Sequence, residues 1–159
     1  MIYNFAPASK APRELFQQID YLIVNEIEAS LVAGRGSMDN PAEVAEMLSR
    51  EHGITVVMTL GAEGAVAASG SQLVRLPAPA VDVVDTTGAG DTFAGGFMGY
   101  LASAGEITDA VITRGIIAGS ALASFAVEGF GLERLMQLTP ELLRVRFAEF
   151  RQLTYFDAL

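Results

Sequence analysis

The residues of this sequence that are best suited to chemistry lie between Asp85 and Phe97, where the chain reads D-T-T-G-A-G-D-T-F-A-G-G-F. Gly88 and Gly90 have no Cβ, so the backbone can turn tightly there and approach a ligand closely. If a helix begins at this turn, its first N–H groups and its dipole form a site for an anion. Asp91 would repel a bound phosphate, so its place in such a site suggests a chemical role.

Phosphoryl transfer is the reaction that fits this combination of residues. It requires positioning and electrostatic stabilisation, together with a carboxylate that accepts the proton of the attacking hydroxyl. In this interpretation Asp91 is the base, and the amides of the segment Gly88–Gly90 hold the charge that develops on the transferred group. The alternative is a structural corner between a strand and a helix, in which Asp91 stabilises the helix dipole. The spacing alone leaves both interpretations open.

Two flanking elements would hold this segment in place. Residues 81–84 alternate in the manner of a strand, and Phe93, Phe97 and Leu101 recur at the spacing of one helix face. We therefore predict a strand over 81–84 that leads through the glycine turn into a helix.

A second candidate site follows the apolar run Tyr21–Val24, which is typical of a strand buried on both faces. Asn25 is a good N-cap, and Glu28, three positions on, completes a capping box. Both residues would also lie at the carboxyl end of a parallel strand, where open α/β sheets bind ligands. The pair therefore suits a helix cap, a ligand site, or both.

A third candidate is the loop Thr59–Gly64, which reads T-L-G-A-E-G and follows a run rich in β-branched residues, 55–60. Residues 65–68 then predict another strand. The glycines at 61 and 64 suit a simple hairpin turn equally well, so the G-x-x-G spacing by itself does not indicate a ligand.

Composition excludes several classes of protein. A net charge of −9 over 159 residues argues against binding to nucleic acid or to an anionic membrane. The absence of cysteine excludes disulfides and thiolate chemistry. Lys10 is the only lysine and lies outside any Gly-Lys-Ser/Thr, which excludes a P-loop kinase. The apolar run 116–127 is shorter than the roughly 20 residues that span a bilayer, and no secretory signal is recognisable, so we expect a soluble, cytoplasmic chain.

The other elements follow from caps and periodicity. We predict a short strand within 1–7, a helical patch from Pro12, a short helix ending near Gly34, a loop over 34–39, a helix from Asn40 to Gly53, a strand over 73–76, a helix from 109 to about 125 capped by Thr108, and a last helix from Thr139-Pro140. We expect His52 to be structural, because it has no histidine or cysteine partner for a metal. We expect Arg144, Arg146 and Arg151 to form a solvated face of the last helix.

The segment 85–93 resembles the C-terminal signature of the ribokinase-like (PfkB-type) carbohydrate kinases, D-T-x-G-A-G-D-x-F, and matches it at every fixed position. The resemblance implies that Asp91 is the catalytic base. It also implies that the amides of Gly88, Ala89 and Gly90 form the anion hole, with Gly90 beside the nucleotide as well.

The same resemblance assigns metal ions to two places. The N-x-x-E pair is similar to the family's second signature, in which Asn25 would face the nucleotide phosphates and Glu28 would help to position Mg²⁺. Asp85 and Thr87 correspond to residues that help to hold a monovalent cation such as K⁺. The stretch 126–131 departs from the family's usual cation loop.

For the nucleotide, the loop after the third predicted strand resembles the family's T-x-G-x-x-G segment, which wraps the phosphates and ribose of ATP. Thr59, Gly61 and Gly64 match, and Glu63 lines the loop. In the family, the helix that corresponds to residues 109–125 flanks the adenine. Its small residues could therefore serve either tight helix packing or contact with a flat ligand. Gly115 stands where relatives often carry a polar residue.

The resemblance implies an α/β fold, a three-layer α/β/α sandwich with a mostly parallel sheet. Residues 1–159 would form the C-terminal, nucleotide-binding and catalytic part of a kinase that phosphorylates a hydroxyl of a sugar or sugar-like substrate. The N-terminal half with the lid and substrate contacts is not recognisable, so we expect a fragment, a short reading frame or half of a two-part protein. Alone it would be inactive, or it would form a homo-oligomer. The alternatives are a non-catalytic nucleotide-binding module, an inactive remnant, or a nucleoside or vitamin kinase of the same superfamily.

Overall fold

The computed structural model describes residues 1–6, 13–34 and 40–153. Its strands are β1 (Ile2–Asn4), β2 (Tyr21–Asn25), β3 (Thr55–Thr59), β4 (Ala65–Ser69) and β5 (Gln72–Leu76). Its α-helices are α1 (Glu26–Ala33), α2 (Pro41–His52), α3 (Ala89–Ser103), α4 (Asp109–Ala126), α5 (Glu133–Met136) and α6 (Pro140–Leu153), with 3₁₀ turns at Arg13–Gln17 and Gly61–Glu63. The sequence features at Pro7, Lys10, Pro12 and 35–39 lie outside the described residues.

The chain divides into two compact units. The first comprises Met1–Gly61 and Ala65–Arg75, and the second comprises Ala62–Gly64 and Leu76–Leu159. The described sheet has the order β1-β2-β3-β4-β5. β1, β2 and β3 run parallel, whereas β4 pairs with β3 in the antiparallel direction. The sheet is therefore mixed, with its parallel strands at the β1 side.

Strands β2 and β3 are buried along most of their length, which explains their continuous apolar runs. They contribute Leu22, Val24, Val56 and Met58 to the core of the first unit. Helix α2 packs Val44, Ala45 and Leu48 into this core. Its ends agree with the prediction: Asn40 accepts a hydrogen bond from the Ala42 N–H at 3.1 Å, and the helix ends at a left-handed glycine.

His52 lies in the last turn of α2 and has a structural contact. Its ring stacks on that of Phe16, with 4.4 Å between ring centroids and 24° between planes. The interpretation of His52 as a structural residue is supported by this contact.

The second unit is organised around the close packing of α3 and α4. A Cβ added to Gly119 would lie 2.6 Å from the carbonyl oxygen of Phe93, and one added to Gly96 would lie 2.8 Å from the Cα of Gly119. Phe93 and Phe97 are buried on the same face of α3, with parallel rings 6.4 Å apart. The small residues of the two helices therefore permit tight packing, one of the two interpretations that the sequence leaves open.

Helix α4 also has a length and composition that would suffice to cross a membrane, and it is the one such helix in the described ranges. Core helices of soluble proteins share these properties, and 44% of this span is buried inside the protein. Its packing against α3 accounts for its apolar character.

Two predictions about local structure are wrong. Residues 81–84 belong to no strand, and Val83 and Val84 are 59% and 50% exposed. The N–H of Val84 donates to the carbonyl of Val127 at 2.7 Å, so this segment is held by a loop instead of a sheet ladder. Arg146 is also not solvated: its side chain is 15% exposed and forms an ion pair with Glu128. Arg144 is exposed as predicted, and the side chain of Arg151 lies outside the described part.

Candidate active site

The signature segment folds as a left-handed turn followed directly by the N-terminus of α3. Gly88 is the N-cap residue, with φ 77°, a conformation that a residue with a Cβ rarely adopts. The first hydrogen bond of the helix runs from the Thr92 N–H to the Gly88 carbonyl at 2.9 Å. By helix geometry, the amides of residues 88–90 precede this bond and have no partner four residues back within the helix. The predicted turn and helix start are confirmed.

The environment of this turn leaves room for a ligand. A Cβ added to Gly88 or to Gly90 would meet nothing within 4 Å, and Asp91 is exposed in the first turn of the helix. Of the amides assigned to the anion hole, that of Ala89 already donates to the carbonyl of Thr86 at 3.2 Å. The Ala89 amide is thus already engaged within the turn.

Asp85 and Thr87 form a local turn just before the helix. The Thr87 N–H donates to Asp85 Oδ1 at 2.9 Å. This backbone hydrogen bond, together with one from the Thr87 hydroxyl, lowers the pKa of Asp85 below its ordinary value of 3.8 against the opposing effect of desolvation. Asp85 is therefore a carboxylate at neutral pH and supplies the oxygen ligands that a hard cation prefers.

In the first unit, Asn25 and Glu28 form the predicted capping box. The Asn25 N–H donates to Glu28 Oε2 at 2.8 Å, and the Glu28 N–H donates to Asn25 Oδ1 at 2.9 Å. Thr59 is the register partner of Asn25 on the neighbouring strand, and its hydroxyl lies 3.4 Å from the carbonyl of Val24. The structure therefore brings Asn25, Glu28 and Thr59 together at the carboxyl ends of two parallel strands.

The loop after β3 connects it to the antiparallel strand β4, so the hairpin interpretation of Thr59–Gly64 is confirmed as its local structure. Gly61 and Gly64 both have positive φ, of 55° and 99°. Gly61 has open space around it, whereas a Cβ at Gly64 would lie 2.0 Å from the carbonyl oxygen of Leu76. Glu63 is exposed in the turn between the two glycines. Gly64 is thus required by the fold itself, independently of any nucleotide.

The oxygen atoms of Asn25 and Glu28 at the end of β2 are of the types that suit a magnesium ion. No group of three or more His, Cys, Asp or Glu side chains forms a metal site among the described residues. Mg²⁺ is commonly held by one or two carboxylates, with water and phosphate oxygens as the other ligands. The Glu28 carboxylate, 8% exposed, and the Asn25 side-chain oxygen are donors of the type that it prefers.

Sequence reasoning missed the residue that holds the start of the signature segment. The carbonyl of Val127 accepts hydrogen bonds from the N–H groups of Val84 and Asp85, at 2.7 and 3.3 Å. Because the acceptor is a main-chain atom, the identity of residue 127 gives no signal of this role. The sequence shows that Glu128 and Arg146 are charged, but it does not show that they pair with each other.

Residues 2–137 match the family model of the pfkB family carbohydrate kinases. The match covers most of the chain and includes all of the candidate site residues. The chain belongs to the pfkB family. The recognition of this family from the signature segment is confirmed.

Individual pfkB relatives agree with this assignment. The chain is 31% identical to the ribokinase of Lactococcus lactis over 142 residues, which is 89% of this chain and 45% of that protein. The crystal structure of Thermotoga maritima ribokinase superposes with a TM-score of 0.75 at 28% identity, covering 92% of this chain and 48% of the other. Aminoimidazole riboside kinase from Salmonella enterica, solved with aminoimidazole riboside and an ATP analog, gives 0.72 at 28% identity, with 86% and 44% covered.

Two conclusions follow for this pfkB chain. The expected α/β, ribokinase-like fold is confirmed, because these likenesses extend over most of the chain. The chain spans about half the length of the relatives that it matches, so the fold is represented in part.

Proposed function

We propose that this chain supplies the nucleotide-binding and catalytic groups for transfer of the ATP γ-phosphate to a hydroxyl of a sugar or sugar-like acceptor. The observation that carries the proposal is the D-T-T-G-A-G-D segment, folded as a left-handed turn with Asp91 in the first turn of α3. Family membership supports the reaction class. The names of the two relatives, a ribokinase and a riboside kinase, both refer to ribose-based substrates. This favours a ribose-containing acceptor for the present chain.

In the proposed reaction, the Asp91 carboxylate accepts the proton of the acceptor hydroxyl as its oxygen attacks the γ-phosphorus. The amides of Gly88 and Gly90, with that of Ala89, stabilise the negative charge on the transferred group. The position at a helix N-terminus adds the favourable potential of the helix dipole. These groups act on charge that develops during the transfer, so they contribute to kcat.

Asn25, Glu28, Thr59 and Gly61 are proposed to serve the nucleotide. Asn25 would face the phosphates, Glu28 would help to hold Mg²⁺, and Thr59 and Gly61 would contact ATP, with Glu63 and Gly64 completing the loop. When bound, Mg²⁺ would neutralise phosphate charge. Asp85 and Thr87 are proposed to hold a monovalent cation, which suits the ionised state of Asp85.

The experiment is ADP release from Mg·ATP with a panel of acceptors, beginning with ribose and aminoimidazole riboside. Asp91→Asn should lower turnover by about 10²–10⁴-fold, the usual contribution of a general base, while binding of Mg·ATP persists in calorimetry. Asp82→Asn, which changes an exposed aspartate a few residues upstream, is the matched control and should retain turnover.

The measurement separates the alternatives. Binding of Mg·ATP without turnover on any acceptor would indicate a nucleotide-binding module or a chain that lacks its partner, and absence of binding would indicate a structural remnant. Full turnover by Asp91→Asn would reject the assigned base.

We also propose that turnover requires association with a second copy or with a complementary half. The relatives are about twice as long, and β1 forms an edge of the described sheet, where another strand can pair. Light scattering of the purified chain tests this. A stable monomer with sugar-kinase turnover would contradict it.

A further inference from the structure

A cluster of charged side chains lies just beyond the C-terminal end of α4, in the same unit as the signature segment. Glu128 accepts hydrogen bonds from Arg146 at 2.7 Å and from Arg134 at 3.1 Å, using one carboxylate oxygen for each. The side chains of Glu128 and Arg146 are 16% and 15% exposed, so solvent and salt screen this pair weakly. Charge-assisted hydrogen bonds in such an environment are stronger than exposed ones.

Further contacts hold the two arginines of this cluster in place. Arg146 also donates to the hydroxyl of Ser124 at 2.7 Å, and its guanidinium lies 4.2 Å from the centre of the Phe125 ring. A Cβ added to Gly129 would lie 2.7 Å from Cγ of Arg134, so a larger residue at this position would displace that arginine side chain. The position of Glu128 is thus fixed from two sides.

The residue before Glu128 holds the start of the signature segment. The carbonyl of Val127 accepts from the N–H groups of Val84 and Asp85. The Asp85 carboxylate in turn accepts from the Thr87 N–H, immediately before the glycine turn. A continuous path of contacts therefore runs from the arginine cluster to the signature turn.

We propose that Glu128 is a positioning residue for the signature turn. Held by Arg146 and Arg134, it fixes the main chain at Val127, on which the amides of Val84 and Asp85 depend. Its consequence for catalysis rests on the proposed function and would be a lower kcat with little change in the KM for ATP, because Glu128 itself is not assigned to the nucleotide.

The test is hydrogen exchange of individual amides by NMR on the 159-residue chain. Glu128→Gln keeps the side-chain shape but removes the charge that holds both arginines. The amides of Val84 and Asp85 should then exchange about tenfold faster, the effect of losing a charged hydrogen bond. The control is Ile116→Val, a core truncation in α4 outside the cluster. Both variants are measured at one temperature, and the exchange of each amide is compared with that of the most protected core amides, which report global stability.

Faster exchange at these two amides in Glu128→Gln alone supports the proposal. Unchanged exchange, or equal acceleration in Ile116→Val, overturns it. If Glu128→Gln does not fold, Arg134→Met removes only the more exposed partner, and the same amides should accelerate to a smaller extent. Arg144→Met, at an exposed arginine of α6, should leave them unchanged. Exchange requires no substrate, so this result can be read even if the chain transfers no phosphate.

Discussion

Asn25 and Glu28 satisfy each other's main chain: the Asn25 N–H donates to the Glu28 carboxylate at 2.8 Å, and the Glu28 N–H donates to the Asn25 side chain at 2.9 Å. This reciprocal pair caps α1 and also fixes both side chains at the end of β2. Its structural role is therefore shown, and its role toward Mg·ATP is a separate question. Substitutions at Glu28 can separate the two roles.

We expect Glu28→Gln to retain the cap and lose the charge. Glutamine also serves in capping boxes, so the free energy of unfolding should change by less than about 0.5 kcal/mol, whereas Glu28→Ala should cost about 1 kcal/mol. If Glu28 holds Mg²⁺, Glu28→Gln should shift the Mg²⁺ dependence of ADP release to higher concentrations. Urea denaturation and a Mg²⁺ titration measure the two effects.

The control for this pair is Glu26→Gln, which removes an exposed charge from the same first turn outside the capping box. It should alter neither quantity appreciably. An unchanged Mg²⁺ dependence in Glu28→Gln would leave Glu28 with the cap alone.

Local signals explain why so many helix ends were predictable. The caps at Asn25, Asn40 and Thr108 use hydrogen bonds within three residues. Helix α2 ends at Gly53, which adopts the left-handed conformation. Such bonds depend on side chains that are adjacent in the sequence, so their residue types reveal them. The turn at Gly88 has no side-chain cap, and its local signal was the glycine that its positive φ requires.

Features that depend on distant partners were not predictable. Residues 81–84 have strand-like alternation, but a strand needs a neighbour, and their amides instead meet a carbonyl at Val127. The charge of Arg146 predicted an exposed side chain, but this side chain packs against Glu128 and Ser124. These partners lie 18 and 22 positions away in the sequence. Burial of a charge requires a partner whose position the sequence does not give.

The packing of α3 on α4 gives a paired prediction. Gly119→Ala would place a Cβ 2.6 Å from the Phe93 carbonyl, a backbone atom that cannot move aside, so we expect a loss of about 1–3 kcal/mol. Gly99→Ala meets nothing within 4 Å in the interior of α3, and should be neutral or stabilising by up to about 1 kcal/mol. Urea midpoints of the two variants decide the matter. Equal changes in stability would mean that helix propensity, and not steric contact, determines the effect of alanine at both positions.

The loop Thr59–Gly64 gives a second pair of glycines with different constraints. Gly64→Ala combines a φ of 99° with a 2.0 Å approach to the Leu76 carbonyl, and should cost more than about 2 kcal/mol. Gly61→Ala has open space and pays only for its left-handed backbone, about 1–2 kcal/mol. Thermal denaturation orders the two variants. If Gly61→Ala also loses Mg·ATP binding while its stability loss stays in this range, that loss supports its proposed contact with ATP.

The pH dependence of stability tests the charged state of Glu128. Burial raises the pKa of Glu128, but the hydrogen bonds and charges of Arg146 and Arg134 together lower it below the ordinary value of 4.5. A carboxyl with a lowered pKa in the folded state stabilises the protein above its unfolded pKa, and this stabilisation is lost as the pH falls through the folded pKa. The stability difference between the unsubstituted chain and Glu128→Gln should therefore be full above pH 4.5 and decrease below it.

Urea denaturation of both proteins between neutral pH and the acid limit of folding measures this difference directly. Other carboxylates titrate in both proteins, so their contributions cancel in the comparison. Glu141→Gln, which removes the exposed partner of Arg144, provides the control and should give a small, pH-insensitive difference because an exposed pair contributes little. A difference for Glu128→Gln that stays constant through the acid range would show that shape and packing, instead of charge, account for the contribution of Glu128.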